Sequence, residues 1–433
     1  MISFCKSSGF IKSICSKVLL SVTCLTMPLF FGQLQAQNYA TEHYLPPLHN
    51  VQSGNDIAEK IVIHLTTMET TSFTVYVYSL NSSGTWSPYI TKNISKTSPA
   101  IVTINCNSSG DCTYLTAMNG GSGDPRTGFK VTGSSPFYVN VDIKAMSQAG
   151  SYSSKGHSAK GKEFFSAQLE SNADDLGKYG EFISIMAVEP GTTTVNFTKN
   201  NNWYQTANST TLEEGEVYLL TTDTQADGNI GTKITSDKDI VVVSGTWAGL
   251  IGAVNSGAGR DIGVTQLLPT DKLGTDYLVN EGYASSYKGT HAIIVATQFT
   301  NVYINGSFIT SLSAGQHYQY NLKGKGNNLQ HINTSSPSMV YYQGYTSGAS
   351  SAKNNQALFL VAPLLDDNNP PAGSSHAHYG NKVWDLTSNN NPSAKMSYYI
   401  MTSDPNNTTV TQNGSTVALN TFSFLNDSLF NSR

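Results

Sequence analysis

The sequence predicts an all-β chain of tandem antiparallel β-sandwich-like repeat modules behind a signal peptide, with a closed propeller-like arrangement of the repeats as the alternative. Three observations carry this expectation. Runs rich in β-branched and aromatic residues, among them Lys60 to Leu65, Phe73 to Tyr78, Glu216 to Leu220 and Ile240 to Val243, recur along the chain and end at Gly, Asn, Asp, Ser or Pro. After the leader no segment sustains an i, i+3, i+4, i+7 apolar stripe over three turns, so helices are expected to be short and few. The third observation is internal repetition, with equivalent positions spaced by roughly 105 to 120 residues.

At the N-terminus, Lys6, Lys12 and Lys17 precede an apolar run from Val18 to Phe31, followed by the small-residue exit Gly32-Gln33-Leu34-Gln35-Ala36. The run is short for a membrane span and reads as a secretory leader cleaved after Ala36. Cleavage removes Cys5, Cys15 and Cys24, leaving Cys106 and Cys112 across a polar turn. In an oxidising compartment this pair is expected to form a disulfide that pins one hairpin tip.

Charged residues make up 12% of the chain, against about 25% in ordinary globular proteins. Solubility therefore rests on Asn, Ser, Thr, Gly and Tyr, a composition suited to sheet surfaces and turns. Loss of the leader lysines leaves 22 basic residues against 29 acidic ones, a net of −7. Arg126, Arg260 and Arg433 are the arginines that remain. Such a surface is a poor partner for nucleic acid, which needs clustered Lys and Arg.

The repeats set the expected organisation. Ile183 to Ala187 leads into Thr193 to Phe197, Ala292 to Ala296 into Thr300 to Gly306, and Ser397 to Met401 into Thr408 to Gly414. Leu212-Glu213-Glu214-Gly215 and Leu312-Ser313-Ala314-Gly315 each precede a Tyr-bearing strand, so both read as turns. Lys130 to Val139, Lys233 to Val242 and His331 to Val340 read as strand, tight turn, strand. The expected layout is a leader over 1–36, β modules over 37–150, 151–260 and 261–365, and an incomplete fourth over 366–433.

Gly161-Lys162-Glu163-Phe164-Phe165, the Ile234 to Val242 segment, and above all Arg260-Asp261-Ile262-Gly263-Val264-Thr265-Gln266-Leu267-Leu268-Pro269 followed by Leu273 to Tyr277 resemble the IgGFc-binding protein N-terminal domain family. Tyr44-Leu45-Pro46-Pro47-Leu48 resembles its bacterial members, and the resemblance extends over most of residues 44–433. It implies a secreted or surface protein, tied by analogy to adhesion, and brings no catalytic residues with it. Fc binding itself is not carried over by the resemblance.

Candidate chemistry is sparse. His376 and His378 lie on one side of an extended stretch ten residues after Asp366 and Asp367, but the loop composition favours solvated histidines, and no metal or cofactor is assigned. Asp174, Asp175, Glu163, Glu170 and Glu181 are near enough in sequence to form a glycosidase-like pair or to sit at acidic turns. Arg260 and Asp261 follow a Gly-rich loop and have two readings: hydrogen bonds that tie neighbouring modules, or a ligand surface on a rigid scaffold. Trp203 and Trp247, with Tyr204, Tyr341, Tyr342 and Tyr345, are candidate stacking rings or core residues. The function expected from these readings is non-catalytic recognition of an extracellular glycan, mucin or protein. A structural repeat of an envelope or matrix is the alternative, and a polysaccharide-active enzyme the third.

Overall fold

A computed structural model describes residues 38–50, 57–106, 112, 115–117, 127–145, 148–169, 180–198, 207–222, 229–249, 261–280, 291–322, 325, 329–346, 355–363, 410–412 and 415–417. The expected leader lies outside them. The first unit contains β1 (Ala40–Leu45), β2 (Leu48–Asn50), β3 (Ala58–Thr66), β4 (Phe73–Leu80), β5 (Trp86–Ile94), β6 (Ala100–Asn105), β7 (Leu115–Ala117), β8 (Phe129–Ala145) and β9 (Ala149–Ser153). The second contains β10 (Gly161–Phe165), β11 (Glu181–Ala187), β12 (Thr193–Phe197), β13 (Ser209–Leu212), β14 (Val217–Thr222), β15 (Lys233–Gly249) and β16 (Asp261–Gln266). The third contains β17 (Gly274–Val279), β18 (His291–Ala296), β19 (Thr300–Ile304), β20 (Ser307–Leu312), β21 (His317–Asn321), β22 (Gln330–Thr346) and β23 (Asn355–Leu360). Separately, β24 (Val410–Gln412) pairs antiparallel with β25 (Ser415–Val417).

The chain is all-β, and its three seven-stranded antiparallel sheets share one topology: β5-β4-β8-β3-β6, β13-β12-β15-β11-β14 and β20-β19-β22-β18-β21. Each centres on a 17-residue strand, β8, β15 or β22. The first half of β8 pairs with β1 and β4, and its second half with β3 and β9. The other two long strands repeat this exchange of neighbours. The sheet therefore curls around its long strand into a half-barrel.

The tight turn expected inside each long strand is instead a bulge in one continuous strand. Gly133–Pro136 lies opposite the single residue Thr41, Ser236–Asp239 opposite Lys162, and Thr334–Pro337 opposite Thr275. Four residues facing one bend the strand without reversing it. Pro136 and Pro337, which have no N–H to give a ladder, occur only in these bulges. The Thr67 and Thr297 hydroxyls donate to their carbonyls at 2.8 and 2.6 Å. The turns before the Tyr-bearing strands are present as read: Gly215 and Gly315 adopt φ of 82° and 77°. Their N–H groups donate to Ala187 O and Ala296 O, each at 2.8 Å.

Two sheet limits differ from the expected module boundaries. β9 is paired with β8 and runs to Ser153, past 150, and β16 is paired with β15 and runs to Gln266, past 260.

A half-barrel has an open side, and packing shows what closes it. Along β11, Ile183, Ile185 and Ala187 join the second unit's own core, whereas Phe182 joins the first unit's core with Leu219, Val243, Trp247, Ile262 and Val264. Met186, Val217 and Val241 pack with Tyr44 and Ala159 in a smaller cluster beside it. The outer face of the second sheet thus roofs the first core. The next junction repeats the arrangement, with Ile293, Val295, Met339, Tyr341, Leu358 and Leu360 in the second unit's core. Phe182→Ala is expected to cost about 3–5 kcal/mol. Denaturant unfolding should show it destabilising β3 and β8 of the first unit as well as its own strand.

Candidate functional site

The residues most specific to the sequence reading, Asp261 to Pro269, form a clamp between the first two units. Asp261 begins β16, is almost fully buried, and its Oδ1 accepts the Ala149 N–H at the tip of β9 at 2.6 Å. One residue on, Ile262 lies so close to Gly150 that a Cβ added there would stand 2.6 Å from the Ile262 Cβ. Gln266, fully buried, reaches back 222 positions in sequence: its Nε2 donates to Tyr44 O at 2.8 Å and its Oε1 accepts the Lys155 N–H at 2.5 Å. Leu267 and Leu268 then enter the second unit's core.

His43 completes this buried network. Its Nε2 is 3.0 Å from Phe137 O and its Nδ1 3.0 Å from Ser154 Oγ. The carbonyl can only accept, so Nε2 carries the proton and Nδ1 accepts from the Ser154 hydroxyl. That commits the one hydroxyl proton, which makes the 3.2 Å approach of Ser154 Oγ to Gln266 Oε1 the secondary contact. Burial pushes the His43 pKa down to about 4 against its weaker backbone hydrogen bonds. His49 on β2 is also fully buried, 6.2 Å from the Phe182 ring, with neither ring nitrogen hydrogen-bonded, and burial pushes it down to about 3.

The other sequence candidates fall in separate places. Trp247 is fully buried in the first unit's core and offers no ring face to solvent. Tyr341 is likewise buried, its hydroxyl donating to Gln168 O at 2.9 Å. Cys106 and Cys112 are joined as a disulfide, their Cα atoms 4.3 Å apart. Glu163 pairs with Lys233 at 2.7 Å, and buried Glu181 accepts from the Asn229 amide. Arg260, Trp203, Tyr204, Asp174, Asp175, Glu170, Asp366, Asp367, His376 and His378 lie outside the described residues. Among the described residues no group of His, Cys, Asp and Glu is arranged to hold a metal, and no helix is long and apolar enough to cross a membrane.

A different surface emerges from the strand register. In each unit an acid on the first strand meets a base on the long strand: Glu42 and Lys130 at 3.3 Å, Glu163 and Lys233 at 2.7 Å, Asp276 and His331 at 2.9 Å. In the first unit Lys160 also reaches Glu42 at 2.5 Å. Burial opposes ionisation of Glu42, but Lys160 and Lys130 outweigh it and hold the carboxyl below its usual range.

In the third unit this row runs outward over four strands, Asp276, Asn333, Tyr303 and Phe308, all in register on one face. Asp276 accepts from Asn333 Nδ2 at 2.9 Å and from Thr275 Oγ1 at 2.7 Å, and Tyr303 and Phe308 meet edge to face at 5.8 Å. Phe308 is 58% exposed and Phe299, just before the hairpin, 66%. Ile309, left unpaired by a bulge, is 37% exposed. The first unit shows a related arm, with Tyr76 and Tyr78 stacked at 6.0 Å and bulged Tyr89 exposed. The second has Asn196 in place of Tyr76. Sequence reasoning missed these rings because the four strands of a row are brought together only by the fold.

In comparison with known proteins, residues 153–366 fit the family model described as IgGFc binding protein. This range is narrower than the resemblance read from the sequence and takes in the second and third units, whereas the first unit repeats their topology from outside it. No curated protein and no solved structure matches the chain.

Two outcomes test the clamp and its histidines. Asp261→Ala leaves the part-buried Ala149 N–H without its charged acceptor and is expected to cost about 1–3 kcal/mol in urea unfolding. His43 and His49 are neutral when folded and take up protons in the unfolded chain near pH 6.5. Stability should therefore be full above that pH, fall as pH drops through 6.5, and level off near pH 4 and 3. Each group contributes about 3–5 kcal/mol to that fall, and His49→Phe should remove its share in unfolding curves at pH 7, 5.5 and 4.5.

Proposed function

We propose, from the match of residues 153–366 to the family model described as IgGFc binding protein, that this chain is a secreted or cell-surface, non-catalytic binding protein whose ligand is an extracellular protein. The observation that carries the reading is the outward arm of the third unit. Phe308 and Ile309 are exposed there at the outer end of the row that begins with the Asp276, His331 and Asn333 cluster, and Phe299 is exposed at the opposite end of the same hairpin. Exposed aromatic anchors bordered by satisfied polar groups are the usual make-up of a protein-binding patch. A rigid β scaffold also holds them with little ordering cost on binding. Arg260, in the connection leading into β16, and Trp203 are secondary contact candidates.

The alternative of a structural repeat draws support from the shared cores, since units that roof one another suit an extended array. Binding of purified residues 37–433 to antibody Fc, mucins and extracellular polysaccharides separates the readings. Saturable binding to a protein, weakened at least tenfold by Phe308→Ser with the melting temperature little changed, is the expected result. Binding to polysaccharide alone would move the ligand class to glycan. Absence of binding to every member of the panel would favour the structural role.

A further inference from the structure

The hairpin arms end in three edge strands, β5, β13 and β20, and among the described residues no strand pairs with their outer sides. An edge strand turns half of its N–H and C=O groups to solvent, and natural sheets block such edges with proline, charge or shortness. β13 is cut to four residues. β5 and β20 share a bulge that leaves one residue without a partner, Tyr89 in the first and Ile309 in the third. The residue before the bulge is Pro88 in β5, which has no N–H to offer, and exposed Phe308 in β20. β5 also carries Lys92, whereas the stretch from Ala292 to Gln316, which includes all of β19 and β20, holds no charged residue. The edge of β20 is therefore neither blocked by proline nor guarded by charge.

The register fixes which groups face outward. Asn305 and Gly306, at φ of 51° and 80°, make a two-residue turn closed by the pair Ile304 and Ser307. In such a hairpin the closing pair is hydrogen-bonded and the next pair is not. Phe308, paired with Tyr303, thus points its own N–H and C=O to the free edge. Beyond the bulge, the Asn301 N–H donates to Ser335 Oγ at 2.9 Å, on the side away from β20. Its partner Ser311 therefore also turns N–H and C=O outward. We propose that this edge takes up an extended segment of the protein ligand as an added strand, an inference that rests on the protein-binding role proposed above. Phe308 and Ser311 supply the main-chain hydrogen bonds, and the exposed Phe308 ring and Ile309 pack against the side chains of the segment.

The occupant follows from what the edge offers. A polypeptide in extended form presents donors and acceptors at the spacing of the edge. Its residues are expected to be uncharged, since a charge set down beside Phe308 and Ile309 would lose water with nothing on β19 or β20 to offset the loss. A second copy of β20 fits less well. Two paired copies would each carry the bulge at Ile309, and a bulged edge works against edge-to-edge association. A segment without fixed structure follows the bend instead.

The test uses the whole chain from residue 37 and a short peptide alternating Thr and Val, which is strand-forming and uncharged. The peptide should bind saturably and slow amide hydrogen exchange of Phe308 and Ser311 at least fivefold, with β3 unchanged as an internal reference. The same peptide N-methylated at every residue keeps its side chains, loses its donors, and should bind at least tenfold more weakly. Ser311→Pro removes an outward N–H and no ladder bond of the sheet, so it should weaken peptide binding at least tenfold with the melting temperature little changed. The methylated peptide decides the matter even if that variant fails to fold. Absence of peptide binding, equal binding of the methylated form, or unchanged exchange at Phe308 and Ser311 would overturn the proposal. Protection of these amides that rises with protein concentration in the absence of peptide would overturn it too, by assigning the edge to a second copy. A protein ligand weakened by Phe308→Ser but indifferent to Ser311→Pro would leave the binding role standing and remove the added strand.

Discussion

The interaction on which the rest of this molecule depends is the sharing of cores between successive sheets. A seven-stranded sheet curled around one bent strand buries only its concave side, and that side stays open along one flank. The second sheet closes the first core with Phe182, Val243 and Trp247, and the third closes the second with Ile293, Met339 and Tyr341. Because β11 and β18 serve a core on each face, they read as nearly continuous apolar runs. Such doubly buried strands lose the polar alternation of half-exposed ones. β3, with one face open, keeps the alternation.

Core sharing demands a fixed angle and spacing between units, and the segment from Asp261 to Pro269 supplies both. Asp261 and Gln266 accept from the part-buried Ala149 and Lys155 N–H groups of the preceding unit, and Gln266 donates to the buried Tyr44 carbonyl. Lost partners of that kind cost more than the same bonds gain at a surface. The close contact of Ile262 with Gly150 sets the spacing. The Asp261 carboxylate is engaged in the tie between the first two units.

The fold class was legible because its signals are local. Alternation, turn residues and the repeated Gly before a Tyr-bearing strand all lie within one window of sequence, and the turns at Gly215 and Gly315 are where they were read. The bulges were not legible as bulges. Gly133-Ser134-Ser135-Pro136 has the composition of a reversing turn, and only the neighbours of β8 on its two halves show that the strand continues. Trp247 was equally ambiguous, since a ring in a strand serves a core or a ligand alike until the opposite face is known. The row from Asp276 to Phe308 was invisible because its members come from four strands, in the chain order β17, β19, β20, β22 and the sheet order β17, β22, β19, β20.

The same geometry limits where recognition can take place. Sheet faces at the junctions are consumed by packing, and the outer face of the first sheet is mixed, with Lys60, His64 and Asn105 beside the exposed Ile101. What remains outward on every unit is the hairpin arm, β4 with β5, β12 with β13, and β19 with β20. These arms share topology but not chemistry: stacked tyrosines in the first, Asn196 in the second, Tyr303 with Phe308 in the third. Their inward residues, such as Val75, Ile94, Val195 and Leu212, belong to the cores, but substitutions at their outward positions leave those cores in place, so the outward chemistry is free to vary while the junction residues are constrained by packing. A repeat protein with a constrained spine and variable arms separates stability from specificity, and the exposed Phe308 and Ile309 are affordable on this chain because nothing in the stack depends on them.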